Sequence, residues 1–191
     1  GEVIYQKTLP LDTPALLYDM SREYGTNIMT YLDKTVITPK KDDRYVELES
    51  RINKMEVREV ANFNSFVNFP VTKCLMVGDG DYLAEVEQKV KARLGGRLSV
   101  LRSEPFFLEV MPQNIDKAYS LGKLLEHLGL DREQMVACGD GFNDRSMIEF
   151  AGLGVAMANA QEPVRSAADH VTASNDEDGV AMVVERFILG E

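Results

Sequence analysis

Hydrophobic and polar positions along the chain fall into two styles. Over the first hundred or so residues, apolar and β-branched runs stand beside one another between helical patterns. Residues 1–8 read as a strand, and Asp12, Thr13 and Pro14 open a helix that Gly25 can end, with Asp12 as its cap. Residues 26–32 and 35–38 read as paired strands, followed by a helix over 43–55 and an irregular stretch at 62–70. A compact apolar strand at 72–77, a helix over 81–94 ended by Gly95 and Gly96, and two strands at 98–102 and 106–110 complete this region. From Asp116 the pattern becomes regular: helix to Leu128, strand 135–138, helix 144–150, strand 154–157, helix 163–168, strand 170–172 and helix 179–189. Short apolar strands separated by single helices indicate a parallel sheet covered on both faces. The fold class expected is therefore α/β: a linking strand over 1–10, an inserted α+β module over 11–103, and a doubly wound half-core over 104–191. Repeats and low-complexity stretches are absent from the 191 residues.

Composition adds bounds to this picture. With 45% hydrophobic residues the chain has ample material for a packed core, and it reads as a soluble globular protein. No apolar run approaches the ~18 residues that span a bilayer, and the first residues lack a signal-peptide pattern, so the expected location is cytoplasmic. Cys74 and Cys138 each lie in an apolar run and read as reduced core residues. A formal charge of −10 without a basic patch argues against nucleic acid as a partner. It also means that a small anionic substrate needs locally placed cations, either a metal or a few Lys and Arg residues.

One stretch supplies such chemistry. The apolar strand ending in Cys138 runs into Gly139, Asp140, Gly141, Phe142, Asn143 and Asp144 before a helix begins. In doubly wound sheets this strand end is where ligands bind. Asp140 is placed where a hard oxygen can reach Mg²⁺, an ion that takes one or two protein carboxylates beside waters and phosphate. Gly139 and Gly141 permit a tight turn around it. Asn143 and Asp144 occupy the next helix start, where free N–H groups favour anions and a carboxylate can orient metal-bound water. Upstream, Lys117 begins a helix and can offer its ammonium to phosphate. The plainer alternative is a turn followed by a helix cap.

The run from about Phe106 to Leu189 resembles the Cof-type branch of the haloacid dehalogenase superfamily, particularly its YidA-like sugar-phosphate phosphatases. The resemblance is carried by Lys117, Gly139-Asp140, Asn143-Asp144-Arg145-Ser146-Met147, the stretch from Gly154 through Asn159-Ala160, and Ser174-Asn175-Asp176-Glu177-Asp178-Gly179. It implies an Asp nucleophile forming an aspartyl-phosphate, a second Asp as general acid and base, and Mg²⁺. The residues it assigns to chemistry are Lys117, Asp140, Asn143 and Asp144, with Lys117 and Asn143 on phosphate and Asp140 and Asp144 at the metal. It also makes residues 11–103 a cap domain that closes over the site. Ala118 stands where the family usually has Gly after the motif lysine.

The nucleophile motif of the family, Asp-x-Asp-Gly-Thr after an apolar strand, is not found. The expectation is a chain that is inactive alone, belonging to a phosphatase of a small phosphorylated metabolite; the alternative is a non-catalytic binding or regulatory module. Asp12 reads as a helix cap and Asp33 as a turn residue after a strand, while Asp79 and Asp81 read as caps of the following helix. Val86, Val90 and Leu94 read as core, and Phe63, Phe66 and Phe69 as either pocket lining or core. A parallel sheet lacking its first strands exposes an edge, so a homo-oligomer through that edge is a further expectation.

Overall fold

The computed structural model describes residues 3–190, and the chain divides into two compact units, one formed by Gln6–Asn114 and the other by Gly1–Tyr5 with Ile115–Glu191. The first holds α1 (Thr13–Glu23), β1 (Asn27–Leu32), β2 (Thr35–Thr38), α2 (Arg44–Asn53), β3 (Glu56–Glu59), α3 (Phe63–Phe66), β4 (Cys74–Val77), α4 (Gly80–Leu94), β5 (Leu98–Glu104) and β6 (Phe107–Pro112). Its six strands lie in the order β3-β2-β1-β4-β6-β5. All neighbouring pairs are antiparallel except β2 with β3.

Alternation along the strands splits the core of this unit in two. Ile28, Cys74, Met76, Leu108 and Val110 point to the side covered by α1, α3 and α4, where Leu17, Met20, Phe63, Leu83, Val86 and Val90 complete the main cluster. Met29, Leu75, Val77 and Phe107 point to the other side and meet Val46 of α2. Each such side chain contributes about 1.5–3 kcal/mol on burial. α4 shows how local signals and packing agree. Asp79 accepts from the N–H groups of Asp81 and Tyr82, Leu83, Val86, Val90 and Leu94 form its buried stripe, and Gly95 ends it with a φ of +56°. Phe63 is fully buried, which settles it as core, while Phe66 and Phe69 pack edge to face at 6.3 Å against the same cluster.

Four expectations change here. The described part of the 1–8 strand forms none: residues 3–10 are irregular, Gly1 and Glu2 lie outside the described residues, and no neighbouring strand is paired with the segment. Apolar content without a partner ladder makes no strand. Second, β3 falls at Glu56–Glu59, between the helix expected over 43–55 and the irregular stretch at 62–70, where no element was expected. Third, Asp12 precedes α1 without a side-chain capping bond. Finally, β6 pairs with both β4 and β5, so the first unit continues to Asn114 rather than ending at Ser103. The change in style at Asp116 marks the division better than the boundary placed before β6.

The second unit contains α5 (Lys117–Leu128), β7 (Val136–Gly139), α6 (Arg145–Phe150), β8 (Leu153–Ala156), α7 (Glu162–Arg165), β9 (His170–Val171) and α8 (Gly179–Val184), which continues as a wider π turn through Glu185–Leu189. Its three strands are parallel in the order β7-β8-β9, as the alternation of short strand and helix predicts. Ile148, Ala156, Ala160 and Val164 make its compact core cluster. Among the described residues no helix is long and apolar enough to cross a membrane.

Candidate functional site

The carboxyl end of β7 opens into a cleft of about 320 Å³ within the second unit, lined by Lys117, Cys138, Asp140, Asp144, Met157 and Asn175 among others. β7 delivers Gly139 as its last residue, and a 3₁₀ turn over Phe142–Asp144 then leads into α6. Asp144 is buried at the centre of this turn. Its Oδ2 accepts from the backbone N–H groups of Asp140 and Gly141, each at 3.0 Å, and its Oδ1 accepts from Nζ of Lys117. Burial alone raises the Asp144 pKa, but the Lys117 ammonium and the two N–H groups outweigh it and hold the carboxyl below the usual range.

Lys117 reaches this place because Asp116 caps α5, accepting from Tyr119 N–H at 2.8 Å, so the lysine occupies the first helical position. Its side chain is 47% exposed, so the ammonium faces the cleft while tethered to Asp144. Asp140 is exposed, and its Oδ2 accepts from Nδ2 of Asn159 at 2.9 Å. Asn143 is exposed beside Gly141 and is not among the residues that line the cleft. Cys138 is a free thiol, partly exposed, with its pKa raised by burial, while buried Cys74 is pushed up to about 12 for the same reason. Neither is poised as a thiolate.

The site thus brings together Lys117, Asp140 and Asp144 of the four residues expected to carry the chemistry. Gly139 and Gly141 serve for space rather than for backbone freedom. Gly141 has an ordinary φ of −89°, and a Cβ on it would fall 2.6 Å from Oδ1 of Asn143. The sequence pattern assigns no task to Asn159 or Asn175. Their signal was positional, since Asn159 follows β8 and Asn175 follows β9, and residues just past the ends of neighbouring parallel strands converge.

A metal fits this donor set only in part. Among the described residues no three His, Cys, Asp or Glu side chains cluster for an ion. Asp144 accepts two hydrogen bonds on Oδ2 and one on Oδ1, so it holds Lys117 and the turn and keeps at most one lone pair, on Oδ1, for a metal ion. Asp140 offers one hard oxygen towards solvent, which matches the one or two carboxylates that Mg²⁺ takes.

A parallel α/β unit with a tethered lysine and an exposed carboxylate beside its strand ends puts a cation and a hard oxygen where such sheets bind ligands. The family model of haloacid dehalogenase-like hydrolases matches residues 1–184. The Bacillus subtilis protein YxeH is 30% identical over 194 residues, covering 100% of this chain and 71% of YxeH. A crystal structure of a haloacid dehalogenase-like hydrolase from Bacteroides thetaiotaomicron superposes with a TM-score of 0.92 at 49% identity, covering 98% of this chain and 70% of that one. The subclass IIB sugar phosphatase BT4131 superposes with a TM-score of 0.80 at 25% identity, over 98% of this chain and 70% of its own. The chain belongs to the haloacid dehalogenase-like hydrolases, in the Cof-type phosphatase branch. Phosphatases of this family generally depend on a metal ion.

Proposed function

We propose that the second unit carries the cation and phosphate half of a phosphomonoesterase site, and that the whole enzyme hydrolyses a small phosphorylated metabolite, a sugar phosphate above all, with Mg²⁺. The observation that carries this reading is the cleft at the end of β7, where Asp144 tethers Lys117 and Asp140 stays exposed. Likeness to the sugar phosphatase BT4131 supports the substrate class.

Phosphoryl transfer asks a protein mainly to position groups and to neutralise charge. Lys117 supplies a point charge for a phosphoryl oxygen, and Asp144 restrains its long stem so that less side-chain entropy is lost on binding. In this reading Asp140 holds the cation, and Asn143, outside the cleft lining, would reach phosphate only at its rim. Mg²⁺, when bound, would offset negative charge on the phosphoryl oxygens. The cleft's carboxylates are Asp140 and Asp144, and both already have tasks, so transfer onto an enzyme carboxylate requires one from outside this cleft.

Two measurements test the proposal. In NMR spectra of the chain, phosphate with Mg²⁺ should shift the amides of Lys117 and of residues 139–144 ahead of those of the first unit. A response spread evenly over both units would sink the reading. The chain alone should give no Mg²⁺-dependent hydrolysis of p-nitrophenyl phosphate above background; turnover abolished by Asp140→Asn would overturn the need for an outside carboxylate. A module that binds phosphate but never turns it over, even in the whole protein, is the outcome that favours a regulatory role.

A further inference from the structure

Asn159 lies three residues past the end of β8 and is exposed. Its Nδ2 donates to Oδ2 of Asp140 at 2.9 Å, while its Oδ1 accepts from the backbone N–H of Asn175 at 3.1 Å. A backbone N–H can only donate, so Asn175 fixes which end of the Asn159 amide is oxygen and which end faces Asp140. Asn175 is itself held. It opens the 3₁₀ turn Asn175–Glu177, in which Ser174 Oγ donates to Oε2 of Glu177 at 2.7 Å. Asp178 follows in the left-handed region with a φ of 56°. The loop after β9 thereby orients the amide after β8, which orients the carboxylate after β7. Three neighbouring strand ends are joined in one hydrogen-bonded row.

We infer that Asn159 is a positioning residue that confines Asp140 to coordination through one oxygen and so favours Mg²⁺ over Ca²⁺. The inference rests on the reading of Asp140 as the cation's carboxylate. With Oδ2 already accepting from the amide, Oδ1 is the oxygen with both lone pairs open to an ion, and an ion seeking both oxygens competes with Asn159 for Oδ2. Mg²⁺ demands near-octahedral geometry at ~2.0–2.1 Å and is satisfied by single oxygens, whereas Ca²⁺ at ~2.3–2.6 Å readily takes a carboxylate through both. A bond made at an exposed position contributes little to folding on balance, so stability alone gives this row little purpose.

The test is titration of the isotope-labelled chain with MgCl₂ and with CaCl₂, following the Asp140 carboxylate carbon and nearby amides. Wild type is compared with Asn159→Leu, which keeps the bulk and removes the donor, and with Asn159→Ala as a second variant at the same exposed position. The expected result is a loss of Mg²⁺ affinity of about tenfold, typical of removing a partner that orients a ligand, with Ca²⁺ affinity kept or raised. An unchanged ratio of the two affinities, including equal weakening of both, overturns the inference and leaves the cation reading of Asp140 standing. Absence of any response at Asp140 to either cation in wild type overturns both.

Discussion

A Cβ placed on Gly139 would lie 2.4 Å from Cβ of Asp144 and 2.8 Å from its Oδ2, distances at which atoms must move. The nearest of these atoms sits next to the backbone, so the strain falls on the turn itself. Gly139→Ala is therefore expected to destabilise the second unit by about 1–3 kcal/mol, the usual range for overpacking, and to break the hydrogen bonds from Asp140 and Gly141 to Asp144. Urea unfolding and the amide shifts of those two residues check this; an unaltered spectrum would count against it. From the sequence the glycines at 139 and 141 suggested a tight turn, and the turn is there. The physical reason is the space a side chain would take, which the buried Asp144 fills beside Gly139 and the Asn143 amide oxygen fills beside Gly141. Lys117 and Asp144 stand 27 residues apart, so their pairing becomes visible only once α5 packs against α6, whose leading turn carries Asp144.

Elements whose apolar stripe and end signals coincide were legible. α4 has its cap, its stripe and its terminal glycine in the expected places, and α5 begins at Lys117 behind Asp116. β3 was not legible, because Glu56, Val57, Arg58 and Glu59 are mostly charged and outward-facing. It is a strand because β2 offers a free ladder to it, and charged residues suit the edge of a sheet. A test at this scale concerns Glu87 on α4, which accepts from Lys91 at 2.6 Å and from Arg102 on β5 at 3.0 Å. Burial raises its pKa, but the two cations prevail and hold it below the usual range. A depressed carboxyl stabilises the fold fully above its unfolded pKa of about 4.3 and loses that contribution as pH falls through the lower folded value. The α4–β5 link should thus hold at neutral pH and fail only in acid, as pH falls below the ordinary glutamate range. Arg102→Gln should move the Glu87 midpoint upward, read from its side-chain carbon shift, and an unmoved midpoint would remove the ion pair as its cause.

At the scale of the whole molecule the two units differ in how well they cover their apolar residues. α5 has no buried residue, and Leu124, Leu128 and Leu130 are exposed, as are Val180, Met182, Ile188 and Leu189 towards the other end of the unit. β7 is an edge strand of its sheet. Exposed apolar surface and an open edge favour association, opposed by the net charge of −10. At physiological salt the Debye length is about 8 Å, which screens that repulsion. The chain should therefore show an average mass that rises above the monomer with concentration in analytical ultracentrifugation, and Leu124→Glu or Leu128→Glu should lower it. A strict monomer at every concentration would count against this.

The sequence by itself determined the class of fold, most elements and the chemical character of the turn at residues 139–144, because these follow from periodicity, capping and residue type within short windows. It also carried the resemblance that the family match bears out. Only the tertiary structure decided that β6 belongs to the six-stranded sheet, that residues 3–10 are irregular and that β3 exists, since strand pairing depends on partners far along the chain. It likewise decided that Asp144 accepts from Lys117 and backbone N–H groups while Asn159 braces Asp140. Which lone pairs remain open to a ligand is a matter of hydrogen bonds between strand ends, and those are made only when the sheet brings the ends together.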